Sequence, residues 1–218
     1  MNILYENDNI AICEKPTDIV SQSMPDGCGF SDMAAAKFGY AAIINRLDTQ
    51  VGGAVVFAKN SQFASILSSL SSNQKISKTY LAIVEGEPKE DRGVFEDLLF
   101  KDSSKNKSFV VKRERKGVKK AKLEYEVISK ANHNGKTLTL LAVKLHTGRT
   151  HQIRVQFSSR KMPLCGDGKY GSKDNGCKVA LWSHHISFEI GEDKVFATSM
   201  PPFDKYPWNL FNMDAYNR

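Results

Sequence analysis

The sequence of 218 residues contains no long hydrophobic run and no internal repeat. Its longest apolar stretches, such as Ala54–Ala58, are too short to cross a bilayer. Near the N-terminus, Glu6 and Asp8 occupy positions where a secretion signal would need an apolar core. We therefore expect a cytoplasmic protein that does not associate with membranes.

Closely spaced cysteines are also missing. The chain has four cysteines, and no two of them form a Cys-x-x-Cys pair: Cys13, Cys28, Cys165 and Cys177. In a reducing compartment such a set is typical of free thiols, so we predict no bound metal. The alternative is a zinc site formed by Cys165, Cys177 and the His184–His185 pair. Structural zinc sites usually use short paired spacings, which disfavours this alternative.

The hydrophobic pattern predicts more strands than helices. The strand-like segments are Ile3–Tyr5, Ile10–Cys13, Ala54–Ala58, Tyr80–Val84, Leu123–Val127, Leu138–Leu145 and Val179–Ile190. The predicted helices are Ser31–Phe38 with Ser31 as cap, one capped by Ser61, and Thr150–Lys161 capped by Thr150. Because strands and helices do not alternate regularly, we predict an α+β fold, a mostly antiparallel or mixed β-sheet flanked by helices. No linker divides residues 1–218, which indicates one domain.

Basic residues are concentrated in one segment. Between Lys101 and Lys122 the chain has ten Lys or Arg residues against Asp102 and Glu114, a net charge of +8, whereas the whole chain carries +7. A basic surface of this density attracts phosphate backbones. The alternative is a solvated basic loop between two strands, and the charge run by itself favours neither.

Two short polar regions contain residues suited to chemistry. Asp48 lies beside Arg46 and just before Gly52 and Gly53, where glycines would let a ligand approach the backbone. The alternative for Asp48 is a turn or capping residue. The second region, 146–154, places Thr, Arg, His, Gln and Arg within one predicted turn, which favours an anion site at a helix N-terminus. A surface helix with scattered ion pairs is its alternative.

A dinucleotide-binding pattern at Gly166–Gly171 is misleading. The Gly-x-Gly-x-x-Gly fingerprint requires a buried strand before it and a helix after it. Here Lys161-Met162-Pro163 precedes the pattern and a polar, Gly-containing run follows it. We therefore expect no nucleotide cofactor, and this disfavours a Rossmann-type enzyme.

Four segments together resemble the RluA-type pseudouridine synthases. Asn45–Gly53 resembles the family's Arg-Leu-Asp loop with its Gly-rich continuation, and Lys78–Gly86 resembles its Lys-x-Tyr strand. Thr147–Arg154 resembles its Thr-Gly-Arg-x-His-Gln-Ile-Arg segment, and Pro163–Gly171 resembles its Pro-x-x-Gly-Asp-x-x-Tyr-Gly turn. Their order and approximate spacing also match. The family usually has His where this chain has Asn45, and Thr-Ser-Gly where it has Val51–Gly53.

The resemblance implies an enzyme that isomerises uridine to pseudouridine in ribosomal or transfer RNA, without a cofactor or metal. It implies that Asp48 is the catalytic carboxylate, that Arg154 is its counter-ion and that Tyr80 stacks on the uracil. Arg46 would fill the space left by the flipped base. It further implies a single catalytic domain without a separate N-terminal RNA-binding domain, and we expect a monomer.

The expected RNA contacts combine the motifs with the basic segment: Arg46, Lys78, Arg149, His151, Gln152, Lys112, Arg113, Arg115 and Lys116. Two other interpretations lie outside this enzyme class. One is a non-catalytic RNA-binding module, which the presence of Asp48, Tyr80 and Arg154 disfavours. The other is a structural ribosome-associated protein, which would have no use for the polar loop at Asp48.

Overall fold

A computed structural model describes residues 1–212. Its eleven strands are β1 (Asn2–Glu6), β2 (Ile10–Lys15), β3 (Ala42–Ile43), β4 (Gly52–Ala58), β5 (Ser77–Glu85), β6 (Arg92–Asp102), β7 (Lys107–Val111), β8 (Val118–His133), β9 (Lys136–Leu145), β10 (Leu181–Ile190) and β11 (Asp193–Thr198). Its helices are α1 (Phe30–Phe38), α2 (Ser61–Ser72), α3 (Gln152–Ser158) and two 3-10 turns, Gly168–Tyr170 and Trp208–Leu210. The predicted α+β class is confirmed.

The chain forms two compact units. The first contains Met1–Thr79 and Trp182–Pro201, and the second contains Tyr80–Leu181 and the described residues from Pro202 onward. None of the helices within residues 1–212 is long and apolar enough to span a membrane.

In the first unit, β4 is the central strand. It pairs antiparallel with β2, from Ile10 opposite Ala58 to Lys15 opposite Gly53, and parallel with β10, where Trp182 lies opposite Gly52. β1 and β11 continue the sheet on either side, antiparallel to β2 and β10. One face of these strands packs against Leu67 of α2 in a cluster of aliphatic side chains. All seven residues of β4 are buried. The loop that precedes β4 therefore ends at a firmly packed strand.

The second unit contains antiparallel strands in the spatial order β9, β8, β6, β7, which is not their order in the sequence. β8 pairs with β9 on one side and with β6 on the other, and β7 continues the sheet beyond β6. Helix α3 packs Phe157 against Phe95 and Tyr125, with ring centroids 5.0 and 5.7 Å apart respectively. The sequence pattern did not predict β6, β7 or β11, because polar and charged residues interrupt their alternation.

The predicted helix caps were wrong. Helix α1 begins after Gly29, and the hydroxyl of Ser31 instead donates to the carbonyl of Ser21 at 2.9 Å. Helix α2 is capped by Asn60, whose side-chain oxygen accepts a bond from Phe63 N at 2.9 Å. Helix α3 starts at Gln152, after His151 in a left-handed conformation, and not at Thr150. In each case the residue at the cap position lies one or two residues from the predicted cap.

Candidate active site

Asp48 lies in the loop formed by residues 44–51, called here the Asp48 loop, between β3 and β4. Its main chain is fixed next to the carboxylate: the Ser21 hydroxyl donates to Leu47 O at 2.7 Å and accepts from Leu47 N at 2.9 Å. The Asp48 carbonyl accepts a bond from Val51 N at 3.0 Å, which closes a tight turn. The side chain of Asp48 is half-buried and that of Arg46 is exposed. The loop therefore has an immobilised backbone and accessible functional groups.

Asn45, which replaces the histidine usual in the family, joins this loop to β4. Its side chain is buried; the amide nitrogen donates to Ala54 O at 3.2 Å and the amide oxygen accepts from Val56 N at 2.8 Å. An amide can satisfy one donor and one acceptor of a neighbouring strand at the same time. This position therefore fixes the start of the loop.

Gly52 and Gly53 allow close packing between strands, a role that the sequence did not suggest. A Cβ atom on Gly52 would lie 2.2 Å from Trp182 Cζ3, and one on Gly53 would lie 2.2 Å from the carbonyl oxygen of Ser183. Gly53 also has a φ of +113°, which disfavours any side chain. These glycines let β4 lie directly against β10.

Lys15 lies beneath the Asp48 loop and was not predicted as a site residue. Its side chain is completely buried, and its ammonium donates to the carbonyls of Pro16 and Ile19 at 2.8 Å and of Thr49 at 3.2 Å. Burial lowers the pKa of Lys15 to about 8, while the negative charges of Asp18 and Asp48 act in the opposite direction. Lys15 thus remains mostly protonated at neutral pH and supplies a cation on the inner side of the loop.

Lys78 and Tyr80 both belong to strand β5. Tyr80 is buried with 7% of its surface exposed, and Lys78 is half-buried. Burial lowers the pKa of Lys78. Both side chains therefore lie in surroundings less polar than an ordinary protein surface.

Arg154 forms a buried ion pair in the second unit. Its Nε lies 2.7 Å from Asp167 Oδ2 and its Nη2 lies 2.8 Å from Asp167 Oδ1, so that the guanidinium and the carboxylate form two parallel bonds. The side chains are 6% and 0% exposed. The ring of Tyr170 packs against the guanidinium, with its centroid 5.1 Å from Arg154 Cζ. The orientation of the Arg154 guanidinium is thus fixed by Asp167, which is the second residue of the apparent dinucleotide pattern Gly166–Gly171.

The segment 147–154, called here the Arg154 turn, is held mainly by Gln152. Its amide oxygen accepts bonds from the Thr147 hydroxyl at 2.8 Å and from Arg149 N at 3.1 Å, and its amide nitrogen donates to Lys122 O at 3.1 Å. His151 Nδ1 lies 3.0 Å from the Tyr170 hydroxyl, and Arg149 Nε donates to Lys120 O. The structure therefore brings Arg149, His151, Gln152 and Arg154 together as one ordered turn.

The comparisons with known proteins agree with these motifs. Residues 9–159 match the sequence profile of the RNA pseudouridylate synthase family. The chain belongs to that family. An RNA pseudouridine synthase of Aquifex aeolicus is 32% identical over 95% of this chain and 72% of its own length. Ribosomal large subunit pseudouridine synthase D of Borreliella burgdorferi is 29% identical over 99% of this chain and 70% of its own length.

Human RNA pseudouridylate synthase domain containing 1 has the same fold as this synthase. Its structure superposes with a TM-score of 0.80 over 93% of this chain and 84% of its own length, at 20% sequence identity. The protein is therefore an RNA pseudouridine synthase, an isomerase, and RNA is its substrate class.

In this synthase the basic segment (residues 101–122) is mostly strand. It contains the end of β6, all of β7 and the start of β8, and the loop between β7 and β8 exposes Lys112, Arg113, Arg115 and Lys116. The guanidinium of Arg115 lies over the ring of Phe100 at 4.7 Å. Other basic residues of the segment form ion pairs, Lys122 with Glu96 at 2.7 Å and Lys120 with Glu114 at 3.7 Å. The segment is therefore not one continuous loop, but its four exposed basic residues do lie in a loop between two strands, as the alternative of a solvated loop also expects.

The apparent dinucleotide pattern adopts a different structure. Gly168–Tyr170 forms a single 3-10 turn, and within residues 1–212 no α-helix follows Gly171. Asp167, like Lys15, is a candidate site residue that sequence reasoning overlooked. Its family motif, Gly-Asp-x-x-Tyr-Gly, was recognised, but a buried aspartate next to a glycine gives no sign of which cation it binds.

Proposed function

We propose that the synthase isomerises specific uridines of ribosomal or transfer RNA, with Asp48 as its ionised catalytic carboxylate and without a cofactor. The observation that carries this proposal is the construction of the Asp48 loop. Its main chain is fixed by Ser21, Asn45 and Lys15, yet the carboxylate itself is only half-buried. A turn residue would not need this support, whereas a group that must meet a reacting atom does.

The reaction rearranges bonds within one nucleotide. The N1–C1′ glycosidic bond breaks, the uracil turns, and a C5–C1′ bond forms; C5 loses a proton and N1 gains one. Because no electrons or atoms are exchanged with a second substrate, an ionised carboxylate is sufficient in principle. Asp48 would attack the sugar or the base, or remove a proton from the ribose.

The proposed surroundings of Asp48 contain two cations. Lys15, mostly protonated at neutral pH, places a positive charge behind the loop, and its pKa responds to the negative charge of Asp48. We propose that Arg154 supplies the second cation, as the family resemblance implies. Its bonds to Asp167 occupy Nε and Nη2 and fix the plane of the guanidinium.

The target base must leave the RNA stack before it can react, at a cost of a few kcal/mol. We propose that the exposed guanidinium of Arg46 fills the vacated space and that Tyr80 stacks on the uracil. Lys78, Arg149 and the exposed part of the basic segment would hold phosphates. His151 and Gln152, which are buried, would act by shaping the Arg154 turn.

We propose that both units belong to one catalytic domain, since the four motifs are divided between them. We also propose that the synthase acts as a monomer in the cytoplasm. The name of the Borreliella relative favours ribosomal RNA among the two RNA classes. Mapping pseudouridines in total RNA with and without the gene would identify the substrate.

The test of Asp48 is the substitution Asp48→Asn. Asparagine has nearly the same shape but cannot act as an anion, so we expect pseudouridine formation to fall at least about a thousandfold with the fold unchanged, an effect of about 4 kcal/mol on the barrier. Release of tritium from RNA labelled at uridine C5 measures the rate under single-turnover conditions.

Asp18→Asn is the matched control. Asp18 also interacts with the charge of Lys15 but is exposed, and asparagine tolerates its left-handed backbone conformation. This variant should keep wild-type activity within about twofold. Equal rates for Asp48→Asn and the wild type on a validated RNA would remove Asp48 from the mechanism.

A further inference from the structure

Three potential metal ligands that the proposed function does not use converge in the second unit. The Sγ atoms of Cys165 and Cys177 lie 3.5 Å apart, and Cys165 Sγ lies 3.6 Å from Asp174 Oδ2. All three ligand atoms lie within 4.8 Å of one another. Cys165 is fully buried, and Asp174 and Cys177 are half-buried. Two soft sulfur atoms and one carboxylate oxygen are thus gathered at the edge of the protein interior.

The backbone holds these groups in place. Cys165 N donates to Ile83 O and Cys165 O accepts from Ala180 N, each at 2.9 Å. The next residue, Gly166, allows the two segments to touch, since a Cβ atom there would lie 2.4 Å from the carbonyl oxygen of Lys178. The Asp174 carboxylate is oriented by Gly176 N, which donates to Oδ1 at 2.8 Å. The arrangement is therefore built by main-chain bonds and does not depend on a chance meeting of surface side chains.

Two distances between the ligand atoms match edges of a metal tetrahedron, and the third pair, Cys177 Sγ and an Asp174 oxygen, lies within 4.8 Å. With Zn–S bonds of about 2.3 Å and a Zn–O bond of about 2.0 Å, tetrahedral angles place two sulfurs about 3.8 Å apart, and a sulfur and an oxygen about 3.5 Å apart. The corresponding distances here are 3.5 and 3.6 Å. We propose that Cys165, Cys177 and Asp174 bind one Zn²⁺ ion, with solvent as the fourth ligand.

Tyr206 provides an outer-sphere partner. Its hydroxyl donates to Asp174 Oδ2 at 2.5 Å and lies 3.9 Å from Cys165 Sγ. Carboxylate ligands are usually held by such hydrogen bonds, and their loss typically weakens metal binding about 10- to 100-fold. The hydrogen bond from Tyr206 orients the Asp174 carboxylate toward the two thiols, as expected for a metal site and not for two cysteines that are close by chance.

This ligand set differs from the one considered from the sequence, which included His184 and His185. The structure uses those rings otherwise: His184 Nδ1 lies 2.8 Å from Ser199 O, and His185 Nδ1 lies 3.0 Å from the Thr198 hydroxyl. The third ligand is Asp174, nine residues after Cys165, a spacing that resembles no common zinc motif. The proposal thus revises the expectation that the protein binds no metal.

The ion would be structural. Cys165 precedes by two residues Asp167, whose carboxylate fixes Arg154. Cross-linking Cys165 to the segment that contains Asp174 and Cys177 would hold the turn on which Asp167 lies. None of the three ligands is a proposed catalytic group, so the site is testable without an activity measurement.

The test is zinc binding by the full chain, purified in a reducing buffer and stripped with a chelator. Titration with ZnCl₂ against a chromophoric chelator should show one ion per chain with a submicromolar Kd, and CoCl₂ should give a thiolate-to-cobalt charge-transfer band. Cys177→Ser and Asp174→Asn should each weaken binding by at least about 100-fold, and Tyr206→Phe by about 10- to 100-fold. Cys28→Ser, which changes the exposed cysteine, is the matched control and should bind as the wild type does.

Two results would overturn the proposal. One is weaker than stoichiometric zinc uptake by the reduced protein, or equal affinity in wild type and Cys177→Ser. The other is a Cys165–Cys177 disulfide, seen as a loss of two hydrogens by mass spectrometry, in protein whose reduced form does not take up zinc. Because Cys165 is fully buried, the half-buried Cys177 and Asp174 carry the test, with circular dichroism confirming that each variant is folded.

Discussion

The Asp48 loop and the Arg154 turn are both immobilised, but the first is held through its main chain and the second through the side chain of Arg154. In the Asp48 loop the supporting side chains of Ser21, Asn45 and Lys15 bond to the main chain and leave the proposed catalytic carboxylate half-buried. In the Arg154 turn the side chain of Arg154, the proposed counter-ion, is itself fixed by the buried carboxylate of Asp167.

The two constructions have different energetic consequences. Loss of one partner of a neutral buried hydrogen bond costs about 1–3 kcal/mol, whereas loss of one partner of a buried ion pair costs about 3–5 kcal/mol because a charge remains without compensation. Support of the Asp48 loop is thus divided among several moderate interactions, while that of Arg154 depends on one strong pair. A reacting carboxylate must remain accessible, but a fixed cation gains precision from burial.

The largest effect is expected for Arg154→Ala. This substitution removes the ion-pair partner of the completely buried Asp167 carboxylate. It should lower the free energy of unfolding by about 3–5 kcal/mol. Arg154→Lys keeps the charge but loses the planar fork and should be intermediate in both stability and turnover. Urea denaturation gives the stability, and tritium release gives the rate.

Arg92→Ala is the control for this comparison, because the Arg92–Glu126 pair in the same unit is exposed. It should cost less than about 1 kcal/mol. If Arg154→Ala costs no more than Arg92→Ala, the buried pair is not the support of the turn. Equal turnover of wild type, Arg154→Lys and Arg154→Ala at neutral pH would show that Arg154 does not act on Asp48.

The second effect is a pH dependence caused by Lys15. Its pKa is about 8 in the folded protein and 10.5 when exposed, so the folded state binds fewer protons between these values. The free energy of unfolding should therefore rise with pH across this window, by at most about 3 kcal/mol from this group. Below about pH 8 the cost of burying the charged form is fully present.

Lys15→Met should lack this contribution. Burial raises the pKa of Cys13 to about 11, so this group makes the free energy of unfolding fall with rising pH. The quantity to compare is therefore the difference in the free energy of unfolding between the variant and the wild type at each pH. Denaturation at several pH values from about 7.5 to about 11, which spans the expected titration, measures it. Identical pH slopes in the two proteins would show that Lys15 does not titrate as its burial implies.

A smaller effect is expected for Asn45→Ala, which leaves Val56 N without its acceptor in a buried position. We expect a loss of about 1–3 kcal/mol in the free energy of unfolding and a reduced turnover, because the loop is released at its start. Asn132→Ala, at an exposed asparagine, is the control and should change stability by less than about 0.5 kcal/mol. Turnover unaffected by Asn45→Ala would mean that the other supports suffice.

The smallest effect on turnover is expected in the basic segment. Replacing Lys112, Arg113, Arg115 and Lys116 by neutral residues should weaken binding to many RNAs alike and leave turnover at saturating RNA nearly unchanged. The dependence of log affinity on log salt should flatten by about 0.7–0.9 for each phosphate that the variant no longer neutralises. Filter binding at several salt concentrations measures both quantities.

Four exposed lysines outside the basic segment provide a charge-matched control, each replaced by Gln: Lys37, Lys75, Lys89 and Lys205. This control variant should reduce the dependence of log affinity on log salt less than the basic-segment variant does. The same salt slope for both variants would show that net charge, and not this surface, attracts RNA.

Local sequence determined the motifs and much of the secondary structure. The alternation of Leu123, Tyr125 and Val127 predicted β8, and the all-apolar run Ala54–Ala58 predicted β4, because both patterns reflect burial along a single strand. It also placed Asp48 in a polar loop before a buried strand. Strands β6 and β7 were missed because their charged residues face solvent and hide the periodicity.

Tertiary structure alone decided the partners. Asp167 meets Arg154 across 13 residues, Ser21 meets Leu47 across 26, and Lys15 meets Thr49 across 34. No local pattern specifies such pairs, since each depends on where separate elements bring a donor and an acceptor. The same holds for Gly52, whose lack of a side chain is explained only by the ring of Trp182 on a strand that follows more than a hundred residues later. The sequence by itself identifies which groups can react; the fold determines which of them are buried, charged and held.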